Sequence, residues 1–204
     1  MKDSIISLGD MQTKFNNVND ALTGVCDNLN YALVLAERVM DNNDVTDDMA
    51  IAYGNFSVSA EEWLEKADSV NTLAVAPMGE YLDHRVGDDS VELFDAIPEV
   101  NPMPFADAED GETDYWDFIF RTGLQEYEPT GDDEVDADYA PKDFSYTEQV
   151  ENCNRAYKYA LDVMTSLAAA DYEGVWAKLG DGVKRLADSF PSKEFKEFIT
   201  ACGA

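Results

Sequence analysis

The residues able to do chemistry in this chain are overwhelmingly carboxylates: forty-three acids stand against fourteen bases, for a formal net charge of −29. Carboxylate pairs can hydrolyse glycosides, but with so many to choose from no pair is marked out by its spacing. Nucleophilic catalysis needs a base beside a serine or cysteine, and the only histidine, His84, lies between Asp83 and Arg85, neither of them a nucleophile. The chain carries no glycine-rich phosphate loop, no dinucleotide fingerprint, no G-x-S-x-G elbow and no H-E-x-x-H zinc motif. It reads as non-enzymatic, with no cofactor and no metal site.

What remains is the charge itself, and it is unevenly placed. Residues 1–40 carry five acids and three bases, and residues 149–204 carry eight and seven, whereas residues 41–148 carry thirty acids and four bases, a net of −26. Duplex DNA carries one charge per about 1.7 Å of axis, so twenty-six charges match about 44 Å of duplex. A folded domain of this length has a diameter of about 43 Å. Self-repulsion on this scale opposes folding, which is reason to expect that the charge is used. Aspartates outnumber glutamates twenty-six to seventeen, and the short side chain holds its carboxylate near the backbone with little rotamer entropy to lose.

The expected phosphate-like acids are Asp107, Glu109, Asp110, Glu112, Asp114, Asp117, Asp132, Asp133, Glu134, Asp136 and Asp138, with Tyr115, Trp116, Tyr127 and Tyr139 as aromatic anchors among them. Calcium is the chemical alternative. Asp132, Glu134, Asp136, Asp138 and Asp143 resemble an EF-hand loop in acid spacing, but Ala137 stands where that loop needs glycine, Pro141 lies inside it and the closing acid is the shorter Asp. Adaptation to high salt would spread acids over the whole surface and favour arginine, whereas here the excess is confined and lysines outnumber arginines nine to five.

The elements that must position these residues are helical. Val18, Leu22, Val25, Leu29, Ala32, Ala36 and Val39 recur at spacings of four and three, which predicts a long amphipathic helix over about 16–42. Val150, Cys153, Tyr157, Leu161, Met164 and Leu167 repeat the pattern over about 146–170, behind a capping box of Ser145 and Glu148. Ser59 and Glu62 predict a second capping box and a helix that stops before Pro77. A shorter helix is expected from Thr113 through Leu124, a couple of turns near Val91–Ala96, a break at Gly180 and Gly182, and a last helix beyond Pro191. Residues 128–143 read as a loop.

The fold expected is therefore mainly α, one domain over 1–204 in which two long helices pair antiparallel and frame an acidic, irregular middle, with a small β element within 50–140 as the expected exception. Cys26, Cys153 and Cys202 form neither a disulfide framework nor a zinc pattern. No run of 18 apolar residues and no signal-like N-terminus is present, so the expected location is the cytoplasm, that of the host if the chain is virus-encoded.

The function expected is that of a nucleic-acid mimic, an inhibitor of the anti-restriction or anti-CRISPR type that occludes the basic surface of a nuclease, defence complex or DNA-binding regulator. It would bind neither nucleic acid nor membrane. The alternatives are a non-enzymatic assembly protein with a solubilising acidic surface and a calcium-binding protein; a homodimer would use the nearly all-round apolar helix near 113–124.

Overall fold

The computed structural model describes residues 8–41, 44–83, 111–132, 136–137, 139–172 and 177–203. The apolar stripes of the sequence become α1 (Leu8–Asp41), α2 (Asp47–Asp83), α3 (Gly111–Arg121), α4 (Tyr146–Ala169), α5 (Ala177–Asp188) and α6 (Ser192–Ala201), and no strand occurs among the described residues. The chain is mainly helical, as its periodicity predicts. The helix expected near Val91–Ala96 lies outside the described residues, as does part of the span assigned to a small β element.

α1 and α4 pack most extensively and run antiparallel. Leu35 and Arg38 share a cavity with Gln149 and Asn152, the Cys153 thiol donates to the Ala32 carbonyl at 3.3 Å, and Asn28 meets α3 where Tyr115 lies against Tyr159. The capping box of α4 forms: Ser145 Oγ accepts from the Glu148 amide, and the Glu148 carboxylate accepts from the Ser145 amide at 2.8 Å.

The frame is larger than two helices. α2 begins twelve positions before Ser59, where Thr46 Oγ1 accepts from the Met49 amide at 3.2 Å and Asp47 and Asp48 face the positive end of the helix dipole. Ser59 and Glu62 therefore lie inside a helix rather than at its start. Its stripe is Met49, Ala52, Phe56, Ala60, Trp63, Ala67 and Val70, all buried; the small residues in it mute the sequence signal. α2 also continues through Pro77 to Asp83. The bias of the residue before proline against helical backbone is outweighed by a helix already propagated over about eight turns. So the acidic middle is helical over 47–83, not irregular.

The expected break at Gly180 and Gly182 is a further correction, since α5 runs through both. They are there for close packing: a Cβ on Gly180 would lie 2.5 Å from Tyr172 Cβ, and one on Gly182 would lie 3.3 Å from both methyls of Val70. α5 and α6 close the core behind α2, with Phe56 against Phe195 and Phe198, Tyr157 stacked on Phe195 at 3.8 Å, and Trp63 edge-on to Phe190. One continuous core joins all six described helices. None of the described helices is long and apolar enough to cross a membrane.

Candidate functional site

The hairpin of α1 and α2 displays two rows of acid. Over residues 18–70 the acids are Asp20, Asp27, Glu37, Asp41, Asp44, Asp47, Asp48, Glu61, Glu62, Glu65 and Asp68, every one exposed, against two bases, Arg38 and Lys66. On α1, Asp20, Asp27 and Asp41 fall on a seven-residue repeat, which keeps them on one face. The rows interact across the hairpin. Cys26 is pushed up to about 11 by burial, then by the Asp27 and Asp68 carboxylates, and Tyr53 is raised by burial, then by Glu37 and Asp41 on α1 and Glu61 on its own helix. The α5–α6 segment differs: residues 177–201 carry Lys178, Lys184, Arg185, Lys193 and Lys196 against Asp181, Asp188, Glu194 and Glu197.

Arg38 pairs with the end of α3 and not with these acids in its described bonds. It donates from one nitrogen to the Thr122 carbonyl at 2.5 Å and from the other to the Gly123 carbonyl at 3.2 Å. These are carbonyls at the end of α3, where Gly123 adopts φ +64 and the amides of Gly123 and Leu124 return to Phe120 and Ile119, a turn that needs a left-handed residue. α1 thus anchors the C-terminus of α3, and Gln125 adds a bond to the Tyr31 hydroxyl at 2.6 Å.

α3 places the expected aromatic anchors. Trp116, 37% exposed, stacks on Phe120 at 5.8 Å; Phe120 meets Tyr127 at 5.3 Å and Tyr139 at 5.6 Å, and the two tyrosines lie 4.9 Å apart. Three of the four anchors therefore converge. Tyr115 does not join them: it is buried, donates to Asn28 Oδ1 at 3.3 Å, and is pushed up to about 12 chiefly by that burial. It is a packing residue, which its place on the inward side of α3 decides.

The expected acids separate in the same way. Asp114 and Asp132 are exposed, and Asp117 is half-buried and 3.5 Å from Arg121 one turn on. Asp136 is turned inward on its own loop: it accepts from the Tyr127 hydroxyl at 3.0 Å, from the Thr130 amide at 2.8 Å and hydroxyl at 2.9 Å, and from the Gly131 amide at 3.1 Å. These donors, led by the Thr130 amide, hold it below the usual carboxylate range. Its role is to fold the 127–136 turn, so it is a poor phosphate surrogate. Glu112 lies in the first turn of α3; Asp107, Glu109, Asp110, Asp133, Glu134 and Asp138 lie outside the described residues.

Sequence reasoning missed the α1 and α2 acids because charge was counted by segment. Their repeat along two helices was the available signal, and their pairing across a hairpin was not legible without the fold. For cations, no group of three or more His, Cys, Asp or Glu side chains converges among the described residues. No family model, curated protein or solved structure matches this chain.

Proposed function

We propose that the chain is a non-enzymatic inhibitor that lays exposed carboxylates along the basic nucleic-acid-binding surface of another protein, a nuclease, a defence complex or a DNA-binding regulator, and so excludes its nucleic acid. The observation that supports this reading is the density of carboxylate on the α1–α2 hairpin: eleven exposed acids against two bases over residues 18–70. At 1.5 Å rise per residue the α2 span from Asp47 to Val70 is about 35 Å long. The six acids of that span and the five of α1 and the connection, taken together over this length, give about one per 3 Å, close to the 3.4 Å charge spacing of a single strand and about half the density of a duplex.

The mechanism is competitive. Carboxylates held by packed helices meet lysines and arginines that otherwise hold phosphates, and the field of the whole face speeds encounter. The test is affinity capture from a cell lysate at low salt. The expected set of captured proteins is basic and nucleic-acid-binding, released by added duplex DNA or by raised salt, and lost with the variant combining Asp27→Asn, Glu61→Gln, Glu65→Gln and Asp68→Asn. A set indifferent to salt, DNA and this neutralisation sinks the proposal.

The exposed Trp116 cluster favours a second reading, an assembly protein whose acids only solubilise it. In that case the neutralised variant keeps its partner and Trp116→Ala loses it.

A further inference from the structure

The aromatic cluster points to the kind of side chain this face reads. Trp116, Phe120, Tyr127 and Tyr139 form a contiguous set of rings at the surface. Next to them in sequence are Asp117 on α3, 3.5 Å from Arg121, and the exposed Glu126 and Glu128 on either side of Tyr127. Ring faces carry negative quadrupole potential and attract cations, tryptophan most strongly. Carboxylates at the rim add charge and a hydrogen-bonding fork. Single-stranded bases also stack on aromatic platforms, but those platforms line positively charged grooves, whereas this chain's net charge of −29 repels phosphate.

The same helix already meets a guanidinium at its edge against α4. Arg155 of α4 lies 5.1 Å from the Phe118 ring centre and 5.7 Å from that of Tyr159, while donating to the Asp114 carbonyl at 3.3 Å and the Tyr159 hydroxyl at 2.8 Å. Ring face together with oxygen acceptor is the arrangement that suits a planar, five-donor cation and wastes the geometry on a compact ammonium. Trp116, 37% exposed, presents a further ring on α3, with the carboxylate of Asp117 on the next residue.

We infer that the Trp116 cluster is an arginine-selective docking point, which stacks a guanidinium of a basic partner segment on its rings while the neighbouring carboxylates take the N–H donors. The inference rests on the proposed function and deepens it: the hairpin acids supply charge-driven affinity for any basic surface, and the cluster distinguishes arginine from lysine within it.

The test uses fluorescence anisotropy of two labelled decapeptides, one alternating arginine with glycine and the other lysine with glycine, against the full chain at low salt. The arginine peptide is expected to bind about five- to tenfold more tightly, the range a partly desolvated cation–π contact supplies. Trp116→Ala brings the two peptides to parity, and Trp116→Phe retains part of the difference. The hairpin variant Asp27→Asn, Glu61→Gln, Glu65→Gln, Asp68→Asn weakens both peptides and keeps their ratio. Equal affinity in the unmodified chain overturns the inference, and so does a preference that survives Trp116→Ala with circular dichroism and thermal midpoint unchanged. If Trp116→Ala disturbs the fold, Trp116→Phe decides, and an undiminished ratio there overturns it. Salt-sensitive binding of both peptides at equal strength leaves the charge-based function standing and removes only the docking point; no binding of either removes both.

Discussion

The indole Nε1–H of Trp63 donates to the main-chain carbonyl of Leu186 at 2.8 Å, joining α2 to α5 across 123 positions of sequence. Both residues are buried, and the ring meets Phe190 edge-on at 5.0 Å. The Leu186 carbonyl also accepts from the Ser189 amide and hydroxyl, so Trp63→Phe strands no acceptor; it removes one hydrogen bond and part of a ring. The expected loss is about 1–3 kcal/mol, against about 3–5 kcal/mol for Trp63→Ala, which leaves a cavity. Urea unfolding should show a lowered midpoint with an unchanged slope.

Arg38 governs α3 from a distance. Its two bonds to the Thr122 and Gly123 carbonyls are charge-assisted, and both acceptors sit at a helix C-terminus where a cation is favoured. Arg38→Met should destabilise by about 1.5–3 kcal/mol, and Arg38→Lys should recover little of it, because one ammonium does not reproduce the fork. Hydrogen exchange is the measurement: the amides of Thr122 to Gln125 should exchange faster while those of α2 keep their protection. Uniform acceleration through the chain would count against a local anchoring role.

How much of this was legible beforehand depended on side-chain size. Leu22, Val25, Leu29 and the stripe through Val150 and Leu167 announced α1 and α4, and Ser145 with Glu148 fixed the start of α4 within one residue. The start of α2 was hidden because Phe56 there stands between Ala52 and Ala60, which score weakly though all three are buried. The cluster of Trp116, Tyr127 and Tyr139 was legible as residue types. Its convergence was not, since it needs the turn at Gly123 and the Asp136 lock to bring positions 127 and 139 back over α3. Tyr115, adjacent to Trp116, shows the limit of composition: one position along a helix turns a side chain by about 100° and takes it from surface to core.

The glycines of α5 give a prediction with an order. Alanine gains about 1 kcal/mol over glycine in a helix interior. At Gly182 the added Cβ meets two Val70 methyls at 3.3 Å, so small shifts absorb it and Gly182→Ala should be near neutral. At Gly180 it meets Tyr172 Cβ at 2.5 Å and Cγ at 2.6 Å, next to the backbone rather than at a flexible end. Gly180→Ala should lower stability by about 1–3 kcal/mol, and Tyr172→Gly in the same chain, which removes the clashing Cβ itself, should cost less than the sum of the two single changes. Thermal unfolding of the single and double variants checks both claims, and the reverse order of the glycine variants would refute the packing account.

Asp136 makes the turn that carries Tyr127 sensitive to acid. Because the Thr130 amide, the Thr130 and Tyr127 hydroxyls and the Gly131 amide all donate to its carboxylate, its folded pKa lies below the unfolded value. A group depressed in this way contributes its stabilisation fully above the unfolded pKa, and loses it as pH falls through the folded one. The turn should therefore stay closed through the ordinary aspartate range and open only below it. Amide resonances of Thr130 and Gly131 followed by NMR should show one inflection below the usual carboxylate range, and Asp136→Asn should abolish it. The Ser145 amide, paired with Glu148, which is likewise lowered chiefly by the Ser145 side chain, should keep its own inflection in that variant. Titration of Thr130 and Gly131 at an ordinary aspartate pKa would mean that the four donors do not hold the carboxylate in solution, and the ring cluster above the turn would then lack its support.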